Sequence, residues 1–194
     1  MASTYSGTTT LVNKEPDSFH FPSIYQDYPP FFTLQTTLST RTSQLKKWSR
    51  LIQRYCKFHR LFRLVISEHL DSPLFNNRRL NKRLQYADIV TVLDWMAGME
   101  GGGRTEWLTK AKEGVFVYWR KPEEWANLIR TWVEDTGQKG SVLTLYELVE
   151  GETTEKEEFY GMDLDVLKKG LAALAKQGRA QVFGSEGSEG VKFF

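Results

Sequence analysis

The sequence predicts an α+β protein, mainly helical with small β-hairpins, that contains two tandem copies of one structural unit. Three observations lead to this prediction. Apolar residues recur at helical spacing in several stretches, which indicates amphipathic helices. Short segments rich in β-branched and aromatic residues follow these helices in pairs, as in hairpins. Similar segments also return at a nearly constant offset along the chain, which is typical of an internal duplication.

The first unit is predicted to begin with a long amphipathic helix. A strand at residues 64–66 and a short helix at residues 76–84 follow it. A second amphipathic helix is predicted over residues 87–99, and residues 106–108 and 115–119 form a closing hairpin after a glycine-rich loop. The residues expected to point inward from the two amphipathic helices are Leu45, Trp48, Leu51, Ile52, Tyr55, Cys56, His59, Phe62, Ile89, Val92, Leu93, Met96 and Met99.

The same order of elements is predicted for the second unit. Pro122 lies where the first turn of a helix tolerates proline. A strand at residues 142–148 and a short helix at residues 155–160 follow this helix, and Asp163 is a candidate N-cap for the last helix. Residues 181–183 and 191–194 form the closing hairpin. The residues expected to point inward are Trp125, Leu128, Ile129, Trp132, Val133, Leu164, Leu167, Leu171 and Leu174.

Three independent anchors define the register of the duplication. Residues 48–52 resemble residues 125–129 at an offset of 77 residues. Residues 113–115 match residues 189–191, and the apolar faces of the two later helices align, each within one residue of that offset. Each unit therefore runs helix, strand, short helix, helix and hairpin, which is the order of a winged-helix domain.

This register divides the chain into three parts. Residues 1–18 are polar and rich in Ser and Thr, and we expect them to be disordered. A first winged-helix domain is expected at residues 19–120 and a second at residues 121–194, with almost no linker between them.

An aromatic and proline-rich segment at residues 19–32 precedes the first helix. We expect it to be extended, because proline is excluded from helix interiors and central strands. Pro29 and Pro30 lower the entropy cost of ordering the segment on a partner, and Phe31 and Phe32 are large apolar anchors of the kind that dominate interfaces. The composition favours neither docking on a partner nor packing against the first domain.

Composition and charge exclude several classes of protein. The hydrophobic fraction of 40% is sufficient for packed cores, and the formal net charge is only +2. Cys56 is the single cysteine, so no internal disulfide can form, and a reducing compartment fits best. No apolar run approaches the roughly 20 residues that span a bilayer, and the N-terminus lacks the pattern of a secretory signal. We therefore expect a cytosolic protein.

No catalytic or metal-binding constellation is visible in the sequence. His20, His59 and His69 lack a convergent nucleophile and orienting group, and we expect His59 to be a core or boundary residue. Cys56 lies on the same apolar stripe and is expected to be a small core residue. The glycine run 101–103 lacks the residues of a phosphate loop. We expect no enzyme activity, no cofactor and no metal.

Basic residues cluster in the first half of the chain and acidic residues in the second. The first long helix carries a basic face that could be solvated, could meet acidic lipid or an acidic protein, or could bind nucleic acid. A nucleic-acid-binding tandem winged-helix regulator is therefore the alternative function. It is disfavoured because the predicted recognition helix of the first domain carries Asp88, Asp94 and Glu100 without Lys or Arg.

Five short motifs, in order along the globular chain, resemble one family. They are Pro29-Pro30-Phe31-Phe32-Thr33-Leu34-Gln35, Ser72-Pro73-Leu74-Phe75-Asn76-Asn77, Pro122-Glu123-Glu124-Trp125, Thr144-Leu145-Tyr146-Glu147-Leu148 and Gly190-Val191-Lys192-Phe193-Phe194. Together they resemble the small tandem winged-helix subunit of ESCRT-II, in the class E vacuolar protein-sorting family. The resemblance implies a non-enzymatic adaptor, present in two copies in a Y-shaped complex with two larger winged-helix subunits.

The resemblance also implies which residues bind partners. A Pro-Pro-x-aromatic motif would dock on each larger subunit, and this role falls on Pro29, Pro30 and Phe32, with Phe31 between them. Residues 21–25 look like a degenerate second copy that ends at Tyr25, with Phe21 in place of the first proline.

Further implications of the resemblance concern the second domain and the location of the protein. The second domain would recruit the ESCRT-III subunit that initiates filament assembly, by binding that subunit's first helix. The protein would then act in sorting ubiquitinated cargo to multivesicular endosomes, as a cytoplasmic protein recruited indirectly to the endosomal membrane, with no nucleic acid expected. Residues 1–18 and a lengthened loop at residues 101–104 have no counterpart in the motifs.

Overall fold

The chain forms two successive units of the same topology, as seen in a computed structural model that describes residues 18–185 and 187–194. The predicted α+β class is confirmed, since the described residues form helices and small antiparallel sheets. Disorder is predicted for residues 1–18, and residues 1–17 of this segment lie outside the described residues.

The segment before the first long helix is helical rather than extended. Helix α1 (Ser23–Asp27) and a 3₁₀ helix at Pro29–Phe32 occupy it, so the prediction of an extended conformation is wrong. The prolines are compatible with these turns because they lie at helix starts, where the missing N–H would have no intrahelical partner. Pro22 is the N-cap of α1, and the 3₁₀ helix begins with two prolines.

Helix α2 (Leu38–His59) is the longest helix among the described residues. It contains neither Gly nor Pro, and it ends where Arg60 adopts a left-handed conformation with φ of 52°. The predicted apolar stripe is buried from Leu45 to Cys56. His59 is exposed rather than in the core, and its ring packs against that of the core residue Tyr55 with centroids 4.3 Å apart. Phe62 is buried, but it lies beyond the end of the helix.

The first unit continues with β1 (Arg63–Val65), α3 (Ile66–His69), β2 (Asn76–Asn77), β3 (Lys82–Arg83) and α4 (Tyr86–Ala97). The short helix predicted at residues 76–84 is wrong, because β2 and β3 form a tight hairpin there. The Asn77 side-chain oxygen accepts the backbone N–H of Leu80 at 3.1 Å, and Asn81 has φ of 49°. Asparagine stabilises such turns in preference to helix interiors. Met99 is 99% exposed and does not point inward, because α4 ends at Ala97.

Strands β4 (Thr105–Trp107) and β5 (Gly114–Val117) form the predicted hairpin. They join β1 in a three-stranded antiparallel sheet of order β1-β5-β4.

The second unit consists of α5 (Pro122–Asp135), β6 (Val142–Thr144), α6 (Leu145–Glu150), a 3₁₀ helix at Glu152–Thr154, α7 (Leu164–Lys176), β7 (Ala180–Phe183) and β8 (Gly190–Phe193). Its sheet has the order β6-β8-β7, which repeats that of the first unit. Asp163 caps α7 as predicted, accepting the backbone N–H groups of Asp165 and Val166. The closing hairpin is also confirmed.

Three details of the second unit differ from the prediction. The strand predicted at residues 142–148 ends at Thr144, because Thr144 and Glu147 form a capping box that starts α6. Residues 155–160 form turns rather than a short helix, and the 3₁₀ helix precedes them. Leu164 is exposed, because it is the first residue after the N-cap and lies off the buried face of α7.

The duplication is visible in the strand registers. Leu64 pairs with Val115 in the first sheet, and Leu143 pairs with Val191 in the second. A glycine precedes the valine in both copies. A Cβ at Gly114 would lie 3.1 Å from the carbonyl oxygen of Leu64, so the adjoining strand leaves little room for a side chain.

Each unit has its own core, and one strand contributes to both. The first core surrounds Trp48 and the second surrounds Trp125. Side chains alternate between the two faces of a strand. In and after β5, Val115 and Val117 therefore pack into the first core, whereas Phe116 and Tyr118 pack into the second.

Ion pairs join basic residues at the end of α2, in β1 and just before α5 to the acidic part of the second unit. Arg63 bonds Asp163 at 2.5 Å and Asp165 at 2.6 Å. Glu158 accepts a hydrogen bond from Arg120 and lies 3.1 Å from Lys57, and the Arg120 guanidinium lowers the pKa of Glu158. These pairs account for part of the basic cluster noted in the sequence, since they match it to the later acidic run.

Replacing Arg63 by Ala should lower the free energy of unfolding by about 1 kcal/mol, because Arg63 links two carboxylates of the other unit. Urea denaturation in low salt and in about 0.5 M NaCl would measure this, and salt should shrink the effect. Arg83→Ala is the control. Its partner Asp71 lies in the same unit, so the loss should be a few tenths of a kcal/mol. Equal losses for both variants would contradict a special role for the junction.

Candidate protein-docking site

The five residues predicted to bind partners lie together at one corner of the first unit. Tyr25, Phe31 and Phe32 are only 4%, 1% and 2% exposed, and they belong to the first core. Pro29 and Pro30 are exposed on the outer side of the same 3₁₀ turn. Of the two possibilities that composition left open, packing against the first unit therefore holds for the aromatic side chains, while the prolines face solvent.

Aromatic packing holds the turn against α2. The ring of Phe31 stacks on Trp48 with centroids 4.4 Å apart, and the ring of Phe32 meets Trp48 edge-on at 5.7 Å. Such pairs contribute about 0.5–1.5 kcal/mol each beyond the burial of their area. The indole N–H of Trp48 also donates to the carbonyl oxygen of Phe31 at 3.1 Å. Trp48 therefore fixes both the side chains and the backbone of the turn.

Gln44 fixes the backbone of the turn from the preceding turn of α2. Its side-chain amide lies within hydrogen-bond distance of the carbonyl oxygens of Phe31 and Thr33, both at 2.9 Å, and its oxygen accepts the backbone N–H of Gln35 at 3.0 Å. Gln44 is itself buried. The amide therefore acts together with the indole of Trp48 to hold the backbone that carries the prolines.

Tyr25 connects the same corner to the β2–β3 hairpin. Its hydroxyl donates to the carbonyl oxygen of Pro73, and its own carbonyl accepts from the side chain of Asn77 at 2.7 Å. Burial raises the pKa of Tyr25, so the hydroxyl stays a donor at neutral pH. Phe21 stacks on Tyr25 with centroids 4.2 Å apart, so the degenerate motif packs against the same core.

Gln44, Trp48 and Asn77 are the positioning residues that sequence reasoning missed. The apolar pattern predicts Trp48 as a core residue without a role in the turn, and it predicts no role for Gln44 or Asn77. A polar residue one turn before Trp48, on the buried face of a helix, is the signal that could have revealed Gln44.

A shallow groove lies beside the exposed prolines. It has a volume of about 340 Å³, and Pro30, Tyr28 and Lys47 are among its lining residues. Tyr28 is 54% exposed, so an apolar ring and two prolines are available to a partner at this point.

A second groove, of about 730 Å³, lies in the second unit between α6 and the start of α7. Tyr146 and Leu164 are exposed beside it, and Leu145, Val149 and Met162 form apolar parts of its lining. The lining is partly apolar and also carries charged side chains such as Arg63, Glu150 and Lys168, and the groove lies mainly in the domain for which the resemblance implies a helical ligand.

The single cysteine lies where its thiol cannot react. Cys56 is fully buried, and burial raises the pKa of its thiol to about 12, so no nucleophilic thiolate forms near neutral pH. Among residues 18–185 and 187–194, no group of three or more His, Cys, Asp or Glu side chains could hold a metal ion. Within the same residues, no helix is both long enough and apolar enough to cross a membrane.

Two of the three lysines of α7 that a nucleic acid could contact are engaged in ion pairs. Lys168 lies 2.7 Å from Glu189, and Lys169 lies 2.5 Å from Glu106. These pairs weaken the nucleic-acid alternative, because phosphate contacts would have to replace them.

Replacing Gln44 by Ala should lower the free energy of unfolding by about 1–3 kcal/mol, because the carbonyl oxygens of Phe31 and Thr33 each lose one of their donors and the backbone N–H of Gln35 loses its acceptor. Urea denaturation would measure the loss. Gln53→Ala in the same helix is the matched control. Its amide donates to Ser49 one turn away, and the change should stay within about 0.5 kcal/mol. Similar losses in the two variants would show that Gln44 does not hold the turn.

Comparison with known proteins places this geometry in one family. The sequence profile of ESCRT-II complex subunits matches residues 24–163. Vacuolar protein-sorting-associated protein 25 of Homo sapiens is 42% identical over 177 residues, covering 91% of this chain and 98% of the human protein. The protein of the same name from Dictyostelium discoideum is 37% identical over 191 residues, with 91% and 96% coverage.

Solved structures show the same fold. The crystal structure of subunit VPS25 of the endosomal trafficking complex ESCRT-II matches with a TM-score of 0.78 and 27% identity, over 89% of this chain and 98% of that one. A chain of the crystal structure of the endosomal complex ESCRT-II (VPS22/VPS25/VPS36) matches with a TM-score of 0.77 and the same identity and coverage. Sequence and fold agree over nearly the whole chain, and the protein therefore belongs to the family of ESCRT-II complex subunits.

Proposed function

We propose that the protein is a non-enzymatic adaptor that binds the two larger subunits of ESCRT-II through its first unit and ESCRT-III through its second. One of the solved structures with the same fold is a complex of VPS22, VPS25 and VPS36, which supports assembly with two other subunits. In this role the protein takes part, in two copies per complex, in sorting ubiquitinated cargo to multivesicular endosomes. It is cytoplasmic and reaches the endosomal membrane with its complex.

The observation that carries the proposal is the rigid display of two exposed prolines. The site consists of Tyr25 and Pro29–Phe32, whose side chains have separate tasks. The aromatic side chains of Tyr25, Phe31 and Phe32 hold the turn against the first core. The exposed side chains of Pro29 and Pro30 are the part that would contact each larger subunit. A turn that is ordered before binding loses little conformational entropy on docking, which favours affinity.

Replacing Pro29 and Pro30 together by Ala should weaken binding of the larger subunits about 10- to 100-fold, because the partner loses two rigid apolar contacts. Co-purification followed by titration with the larger subunits would measure this. The thermal unfolding of the variant should stay close to that of the unmodified protein, since both side chains are exposed.

Met99→Ala is the control for this test, because it removes an apolar side chain that is 99% exposed and lies outside the docking segment. It should leave assembly unchanged. Assembly that survives loss of both Pro29 and Pro30 would overturn the assignment of the docking site. The same test on Phe32 would be ambiguous, since that substitution also opens a cavity in the core.

The second unit is proposed to receive the first helix of the ESCRT-III subunit that starts filament assembly. The groove bordered by Tyr146 and Leu164 supports this, because an amphipathic helix lays its apolar face into such a groove. This groove lies mainly in residues 121–194, the part of the chain that we assign to the second domain.

Tyr146→Ser combined with Leu164→Ser should weaken capture of that ESCRT-III subunit about 10- to 100-fold, because exposed apolar contacts are lost. Binding can be measured with the assembled ESCRT-II complex. Val142→Ser combined with Val182→Ser removes exposed apolar side chains of the same unit outside the groove, and it should have little effect. Equal loss in both variants would locate the contact elsewhere.

A further inference from the structure

The outer face of α2 carries a row of cations, and apart from Lys47, which lines the groove beside the exposed prolines, the docking assignments do not use them. Helix α2 contains no Asp or Glu along its 22 residues. Opposite its buried stripe it exposes Lys46, Lys47, Arg50, Arg54 and Lys57. A single-sign surface of this kind repels itself and is a candidate for binding an opposite charge.

Within the described residues, only the Lys57 end of this row is paired with a carboxylate. Within residues 18–185 and 187–194, Lys57 is the member of the row that lies near a carboxylate, that of Glu158. Arg54 lies 6.0 Å from the ring centroid of Phe19, a contact that leaves its charge available. Lys46, Lys47 and Arg50 form no ion pair with any residue in that part of the chain, so at least four charges are left for a partner.

The geometry of the row suits a flat partner. At a rise of about 1.5 Å per residue, the segment from Lys46 to Lys57 spans roughly 16 Å. The five side chains lie on the side of a convex cylinder, opposite the apolar face that packs into the first core. Long, flexible side chains in such a row can reach a plane of negative charge together.

Exposed aromatic residues flank both ends of the row. Phe58, 44% exposed, lines a groove with Arg54 and Lys57, and Tyr28 lines a groove with Lys47. Aromatic rings beside basic side chains are typical of surfaces that rest at the headgroup level of a bilayer. A nucleic-acid backbone or an acidic peptide would not require an apolar ring at each end.

We propose that the outer face of α2 is a contact surface for the anionic leaflet of a membrane. The cations from Lys46 to Lys57 would lie against lipid headgroups, and Tyr28 and Phe58 would border the contact. This places direct membrane contact in the first unit itself. It does not depend on the docking assigned to Pro29 and Pro30.

The expected strength of membrane binding follows from the number of Lys and Arg side chains in the row. Each Lys or Arg close to an acidic leaflet strengthens binding about fivefold. Removing three of them by the combined substitutions Lys46→Gln, Arg50→Gln and Arg54→Gln should therefore weaken binding on the order of 100-fold. Glutamine preserves the helix, because its helix propensity is close to that of Lys and Arg.

The test is co-sedimentation of the full chain with vesicles. Vesicles of phosphatidylcholine with about 30% phosphatidylserine should bind the protein, and vesicles of phosphatidylcholine alone should not. Salt at about 0.5 M should abolish binding. A matched control, Arg78→Gln with Lys82→Gln and Arg179→Gln, removes one lysine and two arginines from other exposed positions and should retain most of the binding.

Several outcomes would overturn the proposal. One is the absence of binding to the acidic vesicles, and another is an equal loss in the two triple variants. Tighter binding to a short DNA duplex than to vesicles in the same buffer would assign the face to nucleic acid instead. Binding to polyglutamate without binding to vesicles would assign it to an acidic protein. Circular dichroism of each variant would confirm that α2 is intact.

Discussion

Strand β5 is the element on which the rest of the structure depends, because both of its faces are buried. Val115 and Val117 close the core around Trp48, and Phe116 on the opposite face enters the core around Trp125. A strand buried on both faces cannot shift its register without exposing apolar residues of two cores at once. The two units are therefore coupled through packing, and the ion pairs of Arg63 add a polar rim to a junction that is already apolar.

The first core also determines how the protein presents its docking segment. Trp48 lies at the centre of that core, and it meets both phenylalanines of the 3₁₀ turn. Because Gln44 satisfies the carbonyl groups of the turn from within the protein, the segment needs no partner in order to be ordered. An adaptor built in this way can offer the same two prolines before and during assembly, with little entropy cost on binding.

The basic residues of the first unit are divided between the junction of the two units and the solvent-exposed face of α2. The end of α2 and Arg63 meet the acidic residues of the second unit, so the opposite charges noted along the sequence partly neutralise each other at the junction. The outer face of α2 lies away from that junction and keeps its charge. One helix therefore contributes an apolar face to the core, a polar end to the junction and a basic face to solvent, which are three surfaces with different tasks.

The sequence by itself determined the features that depend on local periodicity and local chemistry. These are the faces of the four long helices, the two closing hairpins and the Asp163 cap, since neighbours a few residues apart decide them. The register of the duplication is also visible in the sequence, because segments about 77 residues apart resemble each other. The tertiary structure alone decided which side chains of the docking segment are buried, because Phe31 and Phe32 meet Trp48 across an intervening segment of chain. The tertiary structure also decided the hairpin at β2 and β3, where the side chain of Asn77 donates to the carbonyl oxygen of Tyr25. The pairing of Arg63 with Asp163 depends on it as well. Contacts between residues so far apart in sequence leave no periodic signal, and only the folded packing brings them together.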